Sequence, residues 1–317
     1  MPYDSIISRT DAAATIPEDV ASGILTGAIA QSAALSLFPR TTMSAAQQRI
    51  PAISALPVAY FVNGDTGLKQ TTEAAWTNKY LNAEEIAAIV PIPQAVLDDT
   101  SFDVWGSIRP LLEEAIGRTL DAAIFFGINK PASWPTDIVA AAVAAGNVYA
   151  RGTNAQTAGG IAQDLSELFS LVESDGYDVN GVLLNRTYRG RLRSIRNNTG
   201  DQQNGDVNSS AIFYVDGDRI QYPMRGLWPT GLSAAEAIAG DFTEGILAVR
   251  QDITYKILDQ AVIQDNSGAI VFNLAQQDMV ALRVVARYAW QVKNVLNRDQ
   301  TAEASRYPFG ILRSPAA

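Results

Sequence analysis

From Asp103 onward, apolar residues recur at helical spacing: Val104, Ile108, Leu111, Leu112, Ala115, Leu120, Ala123 and Ile124. The run stops at Gly127, a residue that commonly follows a helix end. At about 1.5 Å per residue, a helix over 103–126 would be a rod of roughly 36 Å, long for a globular domain. Pro91 and Pro93 ahead of it favour an extended segment, and Asp98-Asp99-Thr100-Ser101 offers short polar side chains to the free N–H groups of a helix start. Pro110 falls inside the rod and predicts a kink or restart near Ser107 to Arg109.

The flanks read more briefly. Residues 1–15 are polar and aperiodic. Pro17, Glu18 and Asp19 open a helix that runs through Val20, Ile24, Ala28, Ala34 and Leu37 and stops before Pro39. Extended segments follow at 48–53 and 59–62, then turn signals at Asn63-Gly64 and Thr66-Gly67, then a second extended arm over 76–90 with Trp76 and Tyr80. A long hairpin with few core residues is hard to stabilise alone, so its support is expected from another subunit.

Beyond Gly127, residues 138–148 are alanine-rich and marginal, whereas 157–175 form a clear helix with Ile161, Leu165, Leu168, Phe169 and Val172 on one face. Residues 181–185 read as a buried strand and 186–196 as a short Arg-rich helix, followed by a polar loop over 197–210. Strands are expected at 211–215, 219–222, 245–249, 253–257, 269–272 and 280–292. The tail from Asn294 is polar apart from an apolar patch at 307–312. The plan is α+β, with the late strands pairing beside the proline-bearing one.

Composition narrows the function. The chain has 317 residues, 47% hydrophobic and only 18% charged, which suits a surface largely covered by its own copies. A net charge of −9 argues against a dedicated nucleic-acid binder. The absence of cysteine and histidine removes disulfides, thiolate chemistry, Ser-His-Asp triads and the commonest metal ligands. No secretory signal or bilayer-spanning run stands out, which predicts a soluble product in the cytoplasm where it is made.

Candidate chemistry is sparse. Glu84-Glu85, Asp98-Asp99 and Glu113-Glu114 are adjacent pairs, and neighbouring residues point apart on a strand or helix, so adjacency does not make a dyad. Phosphate-loop and dinucleotide motifs are absent. Arg186, Arg189, Arg191, Arg193 and Arg196 form the one concentrated basic patch, suited to phosphate or to the acids of a neighbouring subunit. No catalytic residue, cofactor or metal is assigned.

In order along the chain, several segments resemble the major capsid proteins of tailed bacteriophages, the Hong Kong 97 fold family. They are Ile16-Pro17-Glu18-Asp19-Val20 with Gln48-Arg49-Ile50-Pro51, then Pro91 to Thr100, Phe102 to Phe126, Val182 to Tyr188, and Asn273 to Ala289. The resemblance implies an N-terminal arm (1–48), an extended loop (49–87), a peripheral domain with a spine helix (88–127 and 251–293), an axial domain (128–250) and a C-terminal tail (294–317). It further implies self-assembly into pentamers and hexamers that form an icosahedral head in the host cytoplasm. Packaged double-stranded DNA would be contacted weakly. Portal, scaffolding and decoration proteins would be the other partners, with no membrane. Lys69, Trp76, Lys79, Arg186, Arg189 and Arg193 are the candidate intersubunit contacts.

No long charged helical segment precedes residue 16, so scaffolding is expected from a separate protein or a removed extension. Some members join a loop lysine to an asparagine across subunits. Lys69 and Lys79 lie in the loop, but no partner asparagine or glutamate can be placed, which predicts no cross-link. The rival of the same fold is an encapsulin shell enclosing cargo protein. The rival of another class is a carboxylate-dependent hydrolase using Asp98 or Asp99.

Overall fold

The computed structural model describes residues 32–62, 67–69, 71–99, 103–155, 160–193, 214–215, 218–221, 226–231, 234–265 and 267–315. In chain order the elements begin with α1 (Ala33–Leu37), β1 (Arg40–Thr42), β2 (Gln47–Ala55), β3 (Ala75–Asn82) and β4 (Glu84–Pro93). Then come α2 (Gln94–Asp99), α3 (Val104–Phe126), α4 (Ile138–Ala145), β5 (Val148–Ala150), α5 (Gly160–Ser174), β6 (Gly181–Leu184) and α6 (Tyr188–Arg193). The last third holds β7 (Tyr214–Val215), β8 (Asp218–Gln221), β9 (Ala235–Gly240), β10 (Gly245–Leu258), β11 (Val262–Gln264) and β12 (Ile270–Asn273). It closes with α7 (Leu274–Gln277), β13 (Met279–Val292) and β14 (Phe309–Arg313).

The long helix is α3. The Asp103 carboxylate accepts from Gly106 N–H at 2.9 Å, and Gly127 ends the helix at φ 67°, a left-handed geometry that glycine adopts without strain. No restart occurs at Pro110: α3 is a single element through it. The bond lost there belongs to the carbonyl of Gly106, which is exposed and so open to solvent. Asp98 and Asp99, expected at the start of the long helix, end the short helix α2 instead, and Thr100 and Ser101 lie outside the described residues.

A four-stranded sheet runs β1-β10-β13-β4. β13 pairs antiparallel with β4 from Met279↔Pro93 to Tyr288↔Glu84, so the late strand does lie beside the proline-bearing one. The two strands expected at 245–249 and 253–257 are one strand, β10, with irregularities between Val249 and Thr254. That strand crosses the expected boundary at 250/251. Along β13, Leu282, Val284, Ala286, Tyr288 and Trp290 are buried while Arg283 and Arg287 are exposed, the alternation of a half-covered sheet.

The second sheet runs β5-β14-β9-β6-β8-β7. Here the sequence expectation fails: residues 309–313 are no tail, because β14 sits between β5 and β9 with Phe309, Ile311 and Leu312 almost completely buried. β9 was not anticipated either. Its sequence, AEAIAG, carries too few large apolar residues to read as a strand, and Gly240 is needed because a Cβ there would collide with the Pro308 carbonyl and lie 2.7 Å from the Phe309 ring.

One aromatic cluster joins the two sheets. The Phe38 ring lies 4.5 Å from Trp290, 5.4 Å from Phe242, 5.9 Å from Phe125 and 6.2 Å from Phe309, between ring centroids. The segment entering after α1, the end of α3, the first sheet and the second sheet therefore share one core. Of the helix expected over 17–37, α1 is the described part. Residues 17–31 lie outside it, as do the polar loop 197–210 and Arg196.

Candidate functional site: an exposed hairpin and its anchors

β2 and β3 pair antiparallel from Gln47↔Asn82 to Ala55↔Ala75, forming a two-stranded arm outside both sheets. Residues 59–62, expected as strand, have no regular structure. The arm exposes large apolar side chains. Phe61 and Leu68 are 107% and 91% exposed, Trp76 is 69% exposed, and Ile53, Tyr60 and Tyr80 are also open. Scattered apolar residues on a surface are ordinary, and here several large ones fall between Ile53 and Tyr80.

The root of the arm is fixed to its own subunit. Trp134 Nε1 donates to the Asn82 carbonyl at 3.0 Å, Asn82 Nδ2 donates to the Ser133 carbonyl at 3.1 Å, and Ser133 bonds Glu84. Gln291 Nε2 donates to the Tyr80 carbonyl at 3.1 Å, and beyond the far end of β2 the Arg298 guanidinium donates to the Pro57 carbonyl at 2.8 Å. An apolar groove of about 220 Å³ lies beneath, lined by Ile50 to Ile53, Ile246, Val295 and the stems of Lys79 and Lys293.

The candidate contacts separate on this geometry. Lys69 and Trp76 lie on the exposed arm. Lys79 instead turns into its own subunit, pairing with Glu303 at 3.3 Å and lying 3.5 Å from the Val292 carbonyl. Arg186 is exposed just before α6, and Arg189 is half-buried on that helix. Arg191 is held within the subunit, 2.8 Å from Glu236 and over the Tyr188 ring. Arg151 reaches the same Glu236 at 2.6 Å. Arg193 lies on α6, and its side chain is outside the described residues.

The carboxylate pairs are not brought together for acid–base work. Glu85 pairs with Arg287 at 2.7 Å, Glu113 accepts from the Tyr255 hydroxyl at 2.6 Å, and Asp98 accepts from the Gln94 side chain at 3.0 Å. Burial, with the bond to Glu113 next, raises the Tyr255 phenol above its usual range. Among the described residues no group of acids could hold a metal ion, and no helix is long and apolar enough to cross a membrane.

Sequence reasoning missed the anchor of the N-terminal segment. Asp121 of α3 is completely buried and accepts from the Ser32 hydroxyl at 2.6 Å, Ala33 N–H at 2.9 Å and Ala34 N–H at 3.0 Å. Desolvation raises its pKa, partly opposed by the three bonds. A charged residue inside the apolar stripe of the helix was the available signal. A second anchor is Arg306, 3% exposed, which donates to the carbonyls of Gln300 and Asn294 and to the Asn294 side chain. Beside it the Tyr177 hydroxyl is bound to Asn294 and Val295, and burial pushes that phenol up to about 12.

Comparison with known proteins places this architecture. The chain matches the phage capsid family over residues 12–295. It is 26% identical over 292 residues to the major capsid protein of Staphylococcus phage 80alpha, covering 91% of this chain and 85% of the relative. A solved structure from Microbacterium phage Oxtober96 superposes with a TM-score of 0.84 at 36% identity, over 98% of this chain and 100% of that one. One from Mycobacterium phage Bobi gives 0.83 at 31% identity, over 99% and 100%. These relatives favour the phage capsid over the encapsulin. The chain belongs to the phage capsid family and is a structural protein of the bacteriophage capsid, built on the Hong Kong 97 fold.

Proposed function

We propose that this chain is the subunit of which a phage head is tiled, copies associating into pentamers and hexamers that close an icosahedral shell around double-stranded DNA. The observation that carries the reading is the β2–β3 arm, tied down at its root yet presenting Phe61, Leu68 and Trp76 to solvent. The arm lies over an adjacent subunit, where those side chains are buried. The first sheet with α3 serves as the peripheral domain, and the second sheet, completed by β14, as the axial domain. The role is architectural, with no reaction assigned to any residue. A chain of net charge −9 limits neutralised phosphate contacts, which suits a lining that holds its genome loosely. Assembly takes place in the host cytoplasm, with portal, scaffolding or decoration proteins as separate partners.

The test is substitution on the arm. Phe61→Ser with Trp76→Ser should leave the thermal stability of the unassembled subunit within about 0.5 kcal/mol, as for exposed positions elsewhere. The same variant should fail to form shells in electron micrographs. Normal shells from that variant would contradict the assigned role of the arm.

A further inference from the structure

The face of the first sheet opposite α3 is covered at one end, where Ala248 and Ala289 pack with Met43 and Leu81, and carries exposed residues towards the other. In one row across it lie Ile89 of β4, Arg283 of β13 and Lys256 of β10, direct cross-strand neighbours and all exposed. Two cations opposite each other on antiparallel strands repel and work against pairing. Nearby on the same face, Arg287 is matched by Glu85 at 2.7 Å. Among the described residues no ion pair includes Arg283 or Lys256. A mismatched pair beside a matched one, in a chain of net charge −9, calls for anions from outside the subunit.

Those anions have a source on the chain itself. β10 finishes, β13 begins and β4 gives way to α2 at one end of this sheet, with Leu258 opposite Ala281 and Pro93 opposite Met279. There α2 exposes Asp98 and Asp99, and Asp98 accepts from the Gln94 side chain on the same helix at 3.0 Å. The same end exposes aliphatic side chains: Val96 on α2, Ile257 on β10, and Val262 and Ile270 on the β11–β12 hairpin. We infer that this end of the sheet is a contact between copies of the chain, Arg283 and Lys256 of one copy meeting Asp98 and Asp99 of the next.

The inference rests on the shell-forming reading and names a surface other than the β2–β3 arm. A basic group and an acidic group at the same end of the sheet make that end complementary to a second copy of itself, in a two-fold or a ring arrangement. The aliphatic surround favours a protein partner over nucleic acid, whose phosphates have no use for it.

The experiment is charge reversal in the full chain, read by sedimentation and electron microscopy. Lys256→Glu with Arg283→Glu, and separately Asp98→Lys with Asp99→Lys, should each lower shell yield by about tenfold or more, because like charges then face each other across the contact. The four substitutions together should restore shells. Lys256→Gln with Arg283→Gln removes the repulsion within the sheet, so this variant should melt no lower than wild type while still assembling poorly. Reversed pairs that assemble like wild type, or a fourfold variant that stays unassembled, overturn the contact. Shells that form normally but lose their DNA would overturn it in favour of a nucleic-acid surface. If wild type itself makes no shells while remaining folded, the shell-forming reading fails and this contact fails with it.

Discussion

Asp121→Ala should loosen the point where the chain enters the fold. The carboxylate serves three donors at a completely buried position: the Ser32 hydroxyl and the N–H groups of Ala33 and Ala34. The hydroxyl can turn to another acceptor, but the two backbone groups cannot. Each buried donor left without a partner costs about 1–3 kcal/mol, so the gross loss is about 2–6 kcal/mol. Removing a carboxylate that burial already disfavours offsets part of it, leaving a net loss of about 2–4 kcal/mol. Against a typical stability of about 5–15 kcal/mol that is a large fraction. Asp121→Asn keeps one acceptor oxygen and should lose less. The pH dependence distinguishes this account from simple loss of packing. The folded pKa is raised above its ordinary 3.8, so the folded state holds the proton more tightly than the unfolded state. The stability Asp121 contributes is therefore fully present below 3.8 and is lost as pH rises through the folded value. The advantage of wild type over Asp121→Asn should shrink as pH rises above 3.8, measured by urea unfolding of the unassembled subunit. An Asp121→Ala variant within about 0.5 kcal/mol of wild type would refute the reasoning. So would a wild-type advantage that grows with pH.

Two further predictions concern the second sheet and the arm. Gly240→Ala places a methyl group against the Pro308 backbone and the Phe309 ring, and should destabilise the subunit by about 1–3 kcal/mol or more; a melting temperature equal to wild type would mean that β9 and β14 do not approach as described. Assembled material boiled in detergent should run as a single monomer band, because Lys79 is paired with Glu303 of its own subunit and no cross-linking partner is evident for Lys69; a ladder of covalent oligomers would contradict this.

The parts of the fold legible in the sequence are those where local chemistry and tertiary packing agree. Asp103 and Gly127 bound α3 because a cap and a left-handed glycine act within a few residues, and β13 declares itself by Val284, Ala286 and Tyr288 alternating with Arg283 and Arg287. What stayed hidden depends on distant partners. β14 looked like a patch in a tail because its neighbours β5 and β9 lie far away in sequence, and β9 is built of alanine and glycine to let the Phe309 segment approach. The candidate contacts divided for the same reason. Trp76 is exposed, whereas Lys79, and Arg191 of the arginine patch, found carboxylates more than forty residues away. Asp121 was passed over as one acid among many, since only the fold brings Ser32 to it.

The most direct test of the central claim is electron microscopy of the purified, untagged chain, paired with nuclease protection of material from infected cells. The account predicts closed angular shells from the pure protein and protected double-stranded DNA inside those from cells. A folded species that stays small even at high concentration, or shells that enclose protein and no DNA, would contradict it.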